Sequence, residues 1–138
     1  MKHVVDASVA IKWYVPEIFE SEATNLQTSG VEFHAPDLIL PEFSNILWKK
    51  NRAGDITKGE ANNILDAFTA SGVRLHPHKR TARSAFVGAS MTGQTVYDWT
   101  YLALALALSC SFVTADAKFY KSLENTSIAK HLIWIGDC

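Results

Sequence analysis

The chain has 138 residues, of which 48% are hydrophobic and 20% charged, with a formal net charge of −1 and a pI near 6.5. That length predicts one domain spanning residues 1–138, long enough to bury a sizeable core, and the composition excludes a largely disordered chain. The near-neutral balance excludes a broad basic surface that coats nucleic acid, while leaving room for a local basic rim.

Strand and helix signals alternate along the chain, as in an α/β protein. His3-Val4-Val5 reads as a buried strand, and Ala7 to Val15 as a helix stopped by Pro16. Residues 17–29 read as a helix ended by Gly30, and Phe33-His34-Ala35 as a second strand closed by Pro36-Asp37. Residues 38–52 form an amphipathic helix whose last turn carries Lys49, Lys50 and Arg52, favourable for the helix dipole. Thr57 with Glu60 three residues on is a capping-box pattern, opening a helix that runs to about Ser71. Val73-Arg74-Leu75 is a third strand, and residues 79–91 and 97–109 are two further helices. Phe112-Val113-Thr114 is a fourth strand, Ala117 to Leu123 a short helix, and Leu132 to Ile135 the last strand. Five strands with helical crossovers predict a mostly parallel sheet covered by helices on both faces.

Four short segments each place one carboxylate among apolar or small residues. They are Val4-Val5-Asp6-Ala7-Ser8, Pro41-Glu42-Phe43-Ser44-Asn45, Val96-Tyr97-Asp98-Trp99 and Val113-Thr114-Ala115-Asp116. A lone buried carboxylate costs several kcal/mol, so such acids make sense where they meet around a cation. Asp6 ends the first strand and Asp116 follows the fourth. If those strands are neighbours, about 4.8 Å apart, the two acids can share an ion. Glu42 and Asp98 fall in the first turns of helices. Each acid also has a structural explanation as an N-cap or a first-turn charge, and a parallel sheet clusters such caps on one edge without any function. Asp98 departs from that explanation, because its helix follows another helix rather than a strand. Ser8, Asn45 and Thr114 recur beside the acids, where they can orient carboxylates or hold water, and Ser8 and Thr114 can equally serve as local caps.

Taken together, the segments VVDASVAIKWYVPE, LPEFSNILWK, TVYDWTYLALALAL and FVTADAKFYK resemble the PIN domain, most closely the VapC-type toxin ribonucleases. The resemblance implies a three-layer α/β/α sandwich around a five-stranded, mostly parallel sheet. It also implies an acidic quartet of Asp6, Glu42, Asp98 and Asp116 that uses Mg²⁺ or Mn²⁺ to hydrolyse RNA, leaving 3′-hydroxyl and 5′-phosphate ends. In that scheme Asp6, Asp98 and Asp116 hold the metal, Glu42 serves the attacking water, and Ser8, Asn45 and Thr114 lie behind them. A homodimer and a small antitoxin that blocks the site are further implications of the resemblance. The other readings are a PIN-fold module that binds RNA or protein and cuts little, and a metal-dependent nuclease of DNA or structure-specific phosphodiesterase.

The remaining expectations are local. Lys12, Lys49, Lys50, Arg52, Lys118 and Lys121 are candidates for an RNA-facing rim, each with a solvated helix face as its alternative. Trp13, Tyr14 and Trp48 fit core packing first, an interface second and base stacking third. His76-Pro77-His78 lacks a third ligand and reads as a surface loop. Cys110 and Cys138 have no metal spacing, which fits a reducing cytoplasmic setting. The apolar stretch from Trp99 to Cys110 is too short to cross a membrane.

Overall fold

The computed structural model describes residues 1–138. Its five strands are β1 (Lys2–Val5), β2 (Glu32–Pro36), β3 (Arg74–His76), β4 (Ser111–Thr114) and β5 (Leu132–Trp134). They lie in the order β3-β2-β1-β4-β5, and all four pairings are parallel. Successive residues of a strand face opposite sides, so Val4 and Val5 enter different cores. The larger core joins Val4 and Phe112 to Leu102, Phe43 and Phe119. The smaller joins Val5 and Val113 to Ala23, Leu26 and Ile135. Helices therefore cover both faces, giving the expected three layers.

The helices are α1 (Ala7–Ala10), α2 (Glu20–Gln27), α3 (Ile39–Arg52), α4 (Lys58–Thr69), α5 (Ala82–Thr92), α6 (Val96–Ala107) and α7 (Ala117–Leu123). The apolar α6 runs beneath β1, β2 and β4, and its residues 99–105 are all buried. It packs closely on α5, where Gly88 leaves room for the Trp99 ring: a Cβ at position 88 would stand 2.2 Å from that ring. The capping box at Thr57 and Glu60 is present, with both reciprocal hydrogen bonds made.

Several boundaries differ from the sequence expectation. The helix expected over Ala7 to Val15 stops at Ala10 and tightens into a 3₁₀ turn through Trp13. Pro16 biases Val15 toward extended backbone and cannot donate to the turn before it, so the helix is not propagated. The next helix begins at Glu20 rather than residue 17, because Phe19 takes a left-handed φ of 67°. β3 lies one residue later than expected, since the Pro36↔His76 register lets Asp37 N–H donate to the His76 carbonyl at 2.8 Å.

The chain leaves β1 toward β2 and β3 on one side and places β4 and β5 on the other. The crevice at the carboxyl ends of β1 and β4 is therefore the topological switch point, where open α/β sheets bind ligands.

Candidate active site

At that crevice the register pairs Val5 with Val113, so the residues that follow, Asp6 and Thr114, stand side by side. Thr114 Oγ1 donates to Asp6 Oδ2 at 2.7 Å and accepts from Asp116 N–H at 3.0 Å. Ser8 Oγ donates to Asp6 Oδ1 at 2.5 Å and accepts from Ala115 N–H at 3.3 Å. The two hydroxyls thus stitch β1 to β4 and fix both oxygens of Asp6. Asp6 also caps α1, accepting from Val9 N–H at 3.0 Å, and Asp116 caps α7, accepting from Phe119 N–H at 3.1 Å. The capping and site readings are therefore not rivals: one oxygen of each carboxylate satisfies a helix start, and capping holds the group in place.

Glu42 sits in the first turn of α3 and accepts a hydrogen bond from the Tyr101 hydroxyl. Asp98 sits in the first turn of α6, held by Thr95, whose hydroxyl donates to Asp98 Oδ2 at 3.1 Å and accepts from Asp98 N–H at 3.2 Å. The α5–α6 hairpin carries this helix start back to the carboxyl edge of the sheet. One open cleft is lined by all four acids together with Ser8, Asn45 and Tyr101. Asn45 is exposed there, one helical turn beyond Glu42.

The electrostatics show the cost of this arrangement. Burial pushes Asp6 up to about 6, against hydrogen bonds from Ser8, Thr114 and Val9 that lower it, and the charge of Asp116 raises it further. Burial also raises Glu42, with Tyr101 opposing and the charges of Asp6 and Asp98 adding to the rise. Asp98 is raised by burial, lowered by its bond from Thr95, raised by Asp116 and lowered by Lys118. Each of these three carboxylates is thus pushed toward its neutral form, and each feels another acid of the set. A cation in the cleft would relieve both burial and repulsion.

The donor set fits a hard divalent ion. All four candidates offer carboxylate oxygen, the ligand type that Mg²⁺ and Mn²⁺ prefer. No three His, Cys, Asp or Glu side chains form a ready-made cage. Mg²⁺ keeps several of its waters and is held through one or two carboxylates, so it does not require such a cage.

Other candidates fare differently. Lys12 is not part of an open rim: it is buried and paired with Glu17 at 3.0 Å, and Lys50 joins the same carboxylate at 2.7 Å. Pro16 turns the chain so that Glu17 returns over both lysines, which the sequence spacing did not reveal. Lys49, Arg52, Lys118 and Lys121 are exposed, and Arg52 lies 5.4 Å from the centre of the Trp48 ring. Trp13 packs on Phe33 and donates to the Ala23 carbonyl, and Tyr14 packs edge-on against Phe43 and Phe68, while Trp48 is exposed. His76 is not in a surface loop: it ends β3, with Nε2 2.8 Å from Nδ1 of the buried His34. His78 bonds Asp37. Of the apolar residues around Asp98, Tyr97 is largely exposed, while Trp99 and Leu102 are buried.

Two residues at the site were not singled out from sequence, Tyr101 and Thr95. Both carried a signal. Tyr101 lies three residues after Asp98, the spacing that puts two side chains on one helix face, and Thr95 lies three before it, at the N-cap.

Residues 3–122 match the family model of the PIN domain. Ribonuclease VapC3 from Pyrobaculum aerophilum is 36% identical over 118 residues, covering 84% of this chain and 90% of that protein. Three solved structures share the fold. PAE2754 from Pyrobaculum aerophilum has a TM-score of 0.66 at 20% identity, covering 99% of this chain and 91% of that one. VapBC2 from Rickettsia felis, bound to a DNA fragment from their promoter, has a TM-score of 0.65 at 15% identity, covering 97% and 98%. Mycobacterium tuberculosis VapC20, a Sarcin-Ricin loop cleaving toxin, has a TM-score of 0.62 at 16% identity, covering 88% and 95%.

Proposed function

The chain belongs to the PIN domain family and has VapC-type relatives, and from that membership we propose that it is a Mg²⁺- or Mn²⁺-dependent endoribonuclease, the toxin of a toxin–antitoxin pair. The observation that carries the reading is the convergence of Asp6, Glu42, Asp98 and Asp116 on one cleft at the switch point of the sheet.

In this reading Asp6, Asp98 and Asp116 hold the cation, directly or through water. The bound ion would neutralise the phosphodiester, lower the pKa of an attacking water and support the leaving oxygen. Ser8 and Thr114 keep Asp6 in one orientation, so its carboxylate does not reorganise when substrate arrives. Glu42 takes a proton from the attacking water. Its raised pKa makes it a better base, and the Tyr101 hydroxyl holds one of its oxygens, leaving the other for water. Lys118 lies close enough to Asp98 to influence its charge, so it is the rim cation placed to meet a phosphate beside the cleft. Asn45 lines the same cleft and offers an amide to water or to a phosphate oxygen.

A small antitoxin is the proposed partner, in keeping with the VapBC pairing of the Rickettsia felis relative. A homodimer is proposed as well. Phe86, Val87, Met91 and Tyr97 expose apolar surface on the α5–α6 hairpin, which a second copy would cover. A cytoplasmic location is proposed as well; no helix is long and apolar enough to cross a membrane.

The test is cleavage of a mixed pool of labelled RNAs by the purified protein in Mg²⁺, in Mn²⁺ and in EDTA, beside Asp98→Asn. Cleavage that needs metal and disappears in the variant is expected. Metal-independent cleavage, or binding without cleavage, would replace the nuclease with a different activity or with a binding module.

A further inference from the structure

A second pocket lies along α7, separate from the acidic cleft. It is lined by Ala117, Tyr120, Lys121, Glu124 and Trp134. Two of these residues are tied to the acidic site through the backbone. Tyr120 is one helical turn from Asp116, its N–H donating to the Asp116 carbonyl at 3.0 Å. Trp134 is in register with Thr114, the residue that holds Asp6. Trp134 therefore stands at the carboxyl edge of the sheet, and Tyr120 lies about 6 Å along the α7 axis from Asp116.

Its chemistry is aromatic with a cationic rim. The Tyr120 and Trp134 rings are 5.6 Å apart between centroids and inclined at 43°, and both are partly exposed. Phe19 braces Trp134 from behind, edge-on at 5.6 Å. Gly136 lets the indole lie against the backbone: a Cβ there would stand 2.6 Å from Trp134 Nε1. The indole N–H of Trp13 donates to the Ala23 carbonyl and that of Trp99 to Thr92 Oγ1, whereas Trp134 Nε1 has no protein partner and is not sealed from solvent. Lys118 and Lys121 stand exposed on the same helix. Glu124 is the one acid in the lining.

We propose that this pocket is a nucleobase subsite, in which a base next to the scissile phosphate stacks on Tyr120 and Trp134 while Lys118 and Lys121 meet the neighbouring phosphates. The proposal rests on the ribonuclease reading above and adds to it where the strand runs: from the acidic cleft along α7 toward β5. Aromatic faces accept any base, and the lysines match a polyanion, so the occupant is single-stranded RNA rather than a structured duplex.

The test uses the full chain carrying Asp98→Asn, so that RNA is not consumed, and two probes. One is a single-stranded RNA decamer of mixed sequence. The other is a decamer of the same backbone with every base removed. The Asp98→Asn protein is expected to bind the base-bearing strand at least about tenfold more tightly than the abasic one. Adding Tyr120→Leu should remove about tenfold of the affinity for the base-bearing strand and leave the abasic strand unaffected. Adding Lys121→Gln should weaken both strands equally and reduce the salt dependence of binding. Equal affinity for the two probes in the Asp98→Asn protein would overturn the subsite without any appeal to the variants. So would Tyr120→Leu weakening both strands alike or neither. A wild-type protein that cleaves RNA while those comparisons fail loses only the subsite; one that neither binds nor cleaves RNA loses the ribonuclease reading itself.

Discussion

Replacing Asp6 by asparagine should stabilise the metal-free protein while destroying its function. Asp6 is buried, and burial raises its pKa from the ordinary 3.8 to about 6. The native state therefore binds this proton more tightly than the unfolded chain does. Stability linked to Asp6 is full below pH 3.8 and declines as pH rises, because the unfolded carboxyl ionises first; the loss is complete above about pH 6. At about 1.4 kcal/mol for each factor of ten in proton affinity, the loss amounts to about 3 kcal/mol at pH 8. Asparagine has no charge to bury. Its oxygen can still accept from Ser8 and from Val9 N–H, but its amide faces Thr114 Oγ1, which must turn from donating to accepting. That rearrangement costs roughly 1 kcal/mol. The net expectation is a variant about 2 kcal/mol more stable at pH 8, or roughly 6 °C in Tm for a domain of this size. Near pH 4 the gain should vanish and the variant should be the less stable protein. The assay is thermal and urea denaturation of both proteins in EDTA at pH 4 and pH 8. A variant that is destabilised at pH 8, or whose difference from wild type is the same at both pH values, would refute the argument that Asp6 is held charged against its burial.

Three further outcomes are expected. Millimolar Mn²⁺ should raise the Tm of the wild type at pH 8 and leave Asp6→Asn nearly unmoved, because an ion bound only by the native state stabilises it by mass action; equal shifts in both would mean that the metal binds elsewhere. Tyr101→Phe removes the donor that lowers Glu42, so the acidic limb of the cleavage pH profile should move to higher pH and the rate at neutral pH should fall. An unchanged profile would detach Glu42 from the rate. Gly88→Ala would drive a methyl into the Trp99 ring and should cost about 1–3 kcal/mol, read as a lower Tm with α6 and the Asp98 site disturbed together.

The fold was largely legible because its signals are local and repeated. Short apolar strands, glycine stops and a capping box mark elements whatever surrounds them, and β1 through β5 follow in the expected order. The boundaries that shifted do so where one residue's backbone overrides a pattern. Pro16 truncates the first helix, and Phe19 in the left-handed region delays the second. At the site, the four acids were legible from their apolar settings. What the sequence could not give was three-dimensional partnership. The hydroxyls of Ser8 and Thr114 read equally as supports for the carboxylates or as local caps, and the sequence did not show that they bridge segments more than a hundred residues apart. Lys12 read as a free cation, yet Glu17 closes over it five residues later. His76 read as part of a loop because its partner, His34, lies 42 positions away. In each case the deciding neighbour is distant in sequence or is brought near by a turn whose path depends on tertiary packing.

The central claim is that Asp6, Glu42, Asp98 and Asp116 act as one site. It is tested most directly by single-turnover cleavage of one RNA in saturating Mn²⁺, comparing wild type with the four single variants Asp6→Asn, Glu42→Gln, Asp98→Asn and Asp116→Asn, each shown to be folded. The account predicts that every substitution lowers the rate by at least about 10²-fold, and that a second amide adds far less than a second such factor, because the four residues serve the same step. A folded variant that retains the wild-type rate would remove its residue from the site, and losses that simply multiply would show that the four acids do not work as a unit.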